Sequence, residues 1–150
     1  MRRSRIILLS LLAIVVLMQF IRPSRNENNR EEPANDITKV YPMPADVQKL
    51  LKVACYDCHS NNTQYPWYTN IQPVGWWMAH HVDEGKEELN FNEYASYSPK
   101  RQQNKLKRIR EEVEEDEMPL GSYTIIHRDA RLTAQQKDLL IKWIDSTLNR

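Results

Sequence analysis

Cys55-Tyr56-Asp57-Cys58-His59 holds both cysteines of the chain, three positions apart, with a histidine directly after the second. Any fold of this chain therefore keeps two thiols and an imidazole within five residues of each other. Four chemistries begin with C-x-x-C: a structural disulfide, a redox dithiol, half of a zinc site and a haem attachment point. The residues around the motif have to choose among them.

Those surroundings read as helical. Pro44 opens an amphipathic stretch with Val47, Leu50, Leu51 and Ala54 on one face, and this helix runs into Cys55. Residues 60–73 form a loop with three aromatics, and Val74, Trp77, Met78, His81 and Val82 share the face of a second helix ending near Lys86. Ser98-Pro99 is a cap followed by a first-turn proline. It opens a charged helix with the stripe Leu106, Ile109 and Val113, expected to reach Met118, where Pro119 disfavours helical backbone in the residue before it. The last helix starts at Thr133, with Gln136 completing a capping box, and buries Leu139, Leu140, Trp143, Ile144 and Leu148. The run Tyr123–Ile126 has no strand to pair with, so the expected class is all-α, with about four helices and long loops. A helical core this thin, with aromatics crowded into loops, reads as one that wraps around something.

This context separates the four chemistries. A thioredoxin-like dithiol follows a strand within a βαβ unit, and here a helix precedes the pair. A structural zinc site needs four ligands, but there are no further cysteines, and His80 and His81 are adjacent. A Cys55–Cys58 disulfide closes a very short loop, stabilises little and leaves His59 unexplained. Haem attachment uses every position. Two thiols one turn apart add to the vinyl groups of one porphyrin, and the following imidazole lies under the ring, where it can ligate iron. The expected cofactor is one covalent haem c per chain, held by Cys55, Cys58 and His59.

The N-terminus points the same way. Arg2, Arg3 and Arg5 precede the sixteen-residue run Ile6–Ile21, and Arg22 follows it. No small-x-small cleavage site follows, so the run reads as an N-terminal transmembrane helix, with a cleaved signal peptide as the alternative. Positive charge ahead of the first apolar segment sends the rest of the chain outward. The expected layout is a membrane anchor over residues 1–22, a flexible linker over 23–39 and a haem-binding domain over 40–150. The expected location is the bacterial inner membrane, single-pass, with the haem domain on the periplasmic side. From Pro33 onward 15 Lys and Arg face 17 Asp and Glu, net −2. That excludes a basic face for nucleic acid.

The sixth iron position falls to Met118. It ends a charged helix, precedes Pro119, and follows EEVEEDE, where an ordinary core methionine is out of place. His/Met is a common cytochrome c pairing. His81, beside Trp77, reads as a packing histidine and His80 as solvent-facing. His127 lies near Arg128 and Arg131, which could serve haem carboxylates. Met43 and Met78 read as packing residues.

CYDCHSNNTQYPWYTNIQPVGWWMAHHVDEGKEELNF and EMPLGSYTIIHRDARLT, followed by the final helix, resemble the small bacterial haem-binding domain family, itself similar to cytochrome c. The resemblance covers roughly residues 40 to 148. It implies a small cytochrome c-like helical domain around a covalent haem, with Met118 as distal ligand. It also implies a scaffold role for His81 and the Leu89-Asn90-Phe91 segment. With three glycines and a Trp76-Trp77 pair, the haem-wrapping loops are not those of the better-known soluble carriers.

The function expected from this is electron transfer rather than catalysis, through a His/Met-ligated iron in a membrane-tethered protein. Its partners would be membrane-bound or periplasmic redox proteins, with the lipid bilayer met through the N-terminal helix. The alternative is a haem-based sensor or peroxidase-like domain whose distal ligand is displaceable. A non-haem interaction protein with an incidental C-x-x-C-H is the third class.

Overall fold

The computed structural model describes residues 2–28 and 33–149. Among them every regular element is helical, as the sequence pattern implies. Helix α1 spans Arg2–Met18, α2 Ala45–Ala54, α3 Tyr56–His59, α4 Val74–Glu88, α5 Pro99–Glu114, α6 Gly121–Ile126 and α7 Ala134–Leu148. The run from Tyr123 to Ile126 lies in α6.

The N-terminal expectation is corrected. No helix among the described residues is long and apolar enough to cross a membrane. This overturns both the transmembrane helix and the single-pass inner-membrane location. The physical reason is length. Helix α1 contains Arg2, Arg3 and Arg5 and stops at Met18. Its apolar part, from Ile6, is about 20 Å long at ~1.5 Å per residue, against a hydrocarbon layer of roughly 30 Å. The chain leaves the helix because it is tied to the body of the protein. The Gln19 side chain accepts from the Gln72 backbone N–H (2.9 Å) and donates to the Gln72 carbonyl (3.2 Å). Trp76 Nε1 donates to the Ile21 carbonyl at 2.7 Å.

Residues flanking the undescribed stretch 29–32 are held by side-chain hydrogen bonds. Asn26 Nδ2 donates to the Ser60 carbonyl and to Thr63 Oγ1, and Asn26 Oδ1 accepts from Lys86 Nζ. Asp36 accepts from Tyr56 Oη (3.1 Å) and Asn92 Nδ2 (2.9 Å), and Ile37 beside it is fully buried. Asn26, Asp36 and Ile37 are thereby anchored on the helical domain.

The core gathers the predicted faces. Val47, Leu50 and Leu51 of α2 meet Leu106 and Val113 of α5 and Leu140, Trp143 and Ile144 of α7. Full burial of such side chains contributes about 1.5–3 kcal/mol each. Phe91 and Tyr94, from the 3₁₀ segment Phe91–Ser96, complete it. The Thr133–Gln136 capping box is formed at the start of α7, and Ser98 caps α5. Helix α5 ends at Glu114, four residues before Met118. Asp116 adopts a left-handed backbone (φ 63°), and the N–H groups of Glu117 and Met118 both return to the Glu112 carbonyl. The chain thus doubles back under the end of α5, and Pro119 is not what stops the helix.

Candidate functional site

Cys55 separates α2 from α3. Its φ of −128° breaks the helix, yet its carbonyl accepts from the N–H groups of both Cys58 (3.2 Å) and His59 (3.0 Å). The two thiols and the imidazole thereby share one short turn. Burial pushes the Cys55 thiol up to about 12, with the charge of Cys58 adding to it. Burial also pushes Cys58 up to about 11, with Asp57 adding. Both thiols are free and stay protonated near neutral pH.

His59 is held from one side. Its Nδ1 lies 2.8 Å from the Gly85 carbonyl and 3.1 Å from the Leu89 carbonyl. Two carbonyls can only accept, so Nδ1 carries the proton and Nε2 carries the lone pair. Burial lowers the pKa of the ring, which keeps it neutral, while the two carbonyls and Glu88 oppose that shift. Phe91 stands edge-on to the His59 ring at 6.3 Å and stacks flat on Tyr56 at 5.0 Å. Helix α4 comes this close because position 85 is glycine. A Cβ there would sit 2.8 Å from the Cys58 carbonyl oxygen and 3.2 Å from the Cys58 Cβ.

Two adjoining cavities open over this turn, with empty volumes of about 690 and 800 Å³. Ala54, Cys55, His59, Glu88, Met118 and Pro119 border both, so they form one cleft. The first part has an apolar lining from Leu89, Phe91, Ile109 and Val113, with Lys105 and Arg108 beside it. The second adds Cys58, Asp57, His81, Leu120 and Tyr123. All four residues expected at the site, Cys55, Cys58, His59 and Met118, therefore border the same cleft. The Tyr123 hydroxyl donates to Asp57 Oδ2 at 2.7 Å, which ties the segment after Met118 to the C-x-x-C turn.

The other candidates distribute differently. His81 borders the cleft, its Nδ1 2.9 Å from the Trp77 carbonyl and its ring 4.2 Å from the Trp77 ring. His80 is exposed beside Glu84. His127 stacks on Tyr123, and its Nε2 lies 2.8 Å from the Tyr68 hydroxyl. Arg128 and Arg131 are exposed and border neither part of the cleft. The sequence reading missed the carbonyls of Gly85 and Leu89, Lys105 and Arg108. Backbone carbonyls have no residue code, and the two cations sit in a helix where charges occur at most positions.

Residues 13–146 match the haem-binding domain family. The chain belongs to this family. No curated protein and no solved structure matches it. As a haem-binding domain it has a cleft that suits the group. Its lining is largely apolar, it lies over a neutral imidazole with a free ring nitrogen, and a thioether stands on its border. No group of three or more His, Cys, Asp or Glu side chains among the described residues could hold a metal ion. A haem would bring nitrogen ligands of its own, so it does not need such a cluster.

Proposed function

We propose that this haem-binding domain carries its haem as a covalent c-type group and passes single electrons to and from other redox proteins. The observation that carries the reading is His59 on the C-x-x-C turn. Its Nδ1–H is committed to the Gly85 and Leu89 carbonyls, which leaves Nε2 as the basic nitrogen beside a cleft that Cys55, Cys58 and Met118 also border. A histidine ligand with its second nitrogen donating to a carbonyl is fixed in tautomer and ring orientation.

Each residue has a defined task. Cys55 and Cys58 would hold the haem through thioethers, each formed by adding S–H across one vinyl double bond, so that no oxidant or reductant is consumed. His59 through Nε2 and Met118 through its thioether would hold the iron. Bound haem supplies an iron that alternates between the ferrous and ferric states. An iron held by two protein ligands would suit electron transfer, and a thioether among them would raise its potential. Phe91, Leu89, Ile109 and Val113 would exclude water from the ring and so favour the less charged ferrous form.

Met118→Ala tests the ligand assignment. The weak long-wavelength charge-transfer band of thioether-ligated ferric haem disappears, and the ferrous variant binds carbon monoxide that the wild type refuses. An unchanged ferric spectrum in the variant removes Met118 as ligand. Carbon monoxide binding by the wild type moves the protein to the sensor or peroxidase-like class.

A further inference from the structure

We infer that Lys105 and Arg108 of α5 receive the two carboxylate side chains of the haem, an assignment that rests on the haem-binding reading of the cleft. Three observations carry it. Among the described residues bordering the two parts of the cleft, Lys105 and Arg108 are the lysines and arginines present, and both border the first part only. Cys58 borders the second part only, whereas Cys55, His59 and Met118 border both. The macrocycle is asymmetric in the matching way: its vinyl groups lie on one side and its two carboxylates on the opposite side. A ring placed with its vinyl edge at the cysteines points its carboxylates away from Cys58, toward α5.

The third observation is the state of the cations. The Lys105 side chain is only 15% exposed, and its ammonium lies 3.6 Å from Glu88 Oε2. Arg108 Nη1 lies 3.0 Å from the same oxygen, and its Nη2 lies 3.9 Å from Glu112 Oε1. Glu88 and Glu112 border the same part of the cleft and already pair with these cations, which are thus held where carboxylate oxygens reach them. Glu88 is the carboxylate that meets both cations here, and a pair of haem carboxylates offers the same chemistry to the same two groups. Arg128 and Arg131, the pair suggested by sequence, border neither part of the cleft and are excluded from this role.

The test uses the full chain with haem bound. In Lys105→Gln/Arg108→Gln the reduction potential falls, because carboxylate charge left unneutralised favours ferric iron. The propionate bending modes in the resonance Raman spectrum shift in the same variant, which a remote field effect would not produce. Lys105→Arg/Arg108→Lys restores both, and Lys107→Gln, on the exposed side of α5, leaves both near wild type. If the double Gln variant does not retain haem, the two single Gln variants are read in the same way. Raman modes identical to wild type in the Gln variants overturn the inference, even if the potential moves. A wild-type chain whose haem proves not to be thioether-linked overturns the covalent reading alone, because these measurements need only bound haem.

Discussion

Gly85→Ala sets two opposed effects against each other in one methyl group. Alanine is the better helix former by up to about 1 kcal/mol in a helix interior. At this position, however, the new Cβ meets the Cys58 carbonyl oxygen at 2.8 Å and the Cys58 Cβ at 3.2 Å. Neither neighbour is the far end of a flexible side chain, so α4 and the C-x-x-C turn must move apart. Overpacking of this kind costs about 1–3 kcal/mol. The same displacement stretches the His59 Nδ1 contact to the Gly85 carbonyl, now 2.8 Å, at a further cost of about 1 kcal/mol. The net is a destabilisation of about 1–3 kcal/mol. At this chain length each kcal/mol moves Tm by about 2–4 °C, so the expected fall is about 2–12 °C. Thermal unfolding of the full chain followed by circular dichroism measures it, with Gly121→Ala as control, since nothing lies within 4 Å of a Cβ there. A Gly85→Ala variant with unchanged or raised Tm and unchanged haem spectrum would refute the close-approach argument.

Other outcomes follow from the same contacts. Phe91→Ala removes a fully buried ring that stacks on Tyr56, and chemical denaturation should show a loss of about 3–5 kcal/mol. Thr133→Ala breaks the capping box of α7 and should cost about 1 kcal/mol in the same assay, with no change in the haem spectrum. In the haem-free chain, burial raises the Cys58 pKa from 9.0 to about 11, so less thiolate is present at pH 8. Alkylation there should be about a hundredfold slower than for an unperturbed thiol, since the thiolate is the reactive form. Rapid alkylation of both cysteines would show that the turn is open when haem is absent.

Local features of the site were legible in the sequence, and its support was not. C-x-x-C-H is contiguous, and the faces Val47/Leu50/Leu51 and Leu140/Trp143/Ile144 repeat at helical spacing, so both survive without tertiary information. Met118 stood out because a methionine amid acids has no core to fill. The carbonyls that orient His59 belong to positions 85 and 89, about 30 residues downstream, and only the packing of α4 against α3 brings them there. The N-terminal expectation failed for a related reason. Counting apolar residues from Ile6 to Ile21 ignores that Gln19 and Ile21 bond to Gln72 and Trp76, which ends the helix at Met18. Ile37 is fully buried within a stretch whose polar composition gave no sign of it.

The proposed function stands on a haem fixed to the chain by Cys55 and Cys58. Its most direct test is the intact mass of the protein, expressed with haem-attachment machinery and measured under denaturing conditions. The expected mass is the chain plus one haem, falling to the bare chain in Cys55→Ala/Cys58→Ala. A wild-type chain that separates from its haem on denaturation would contradict it.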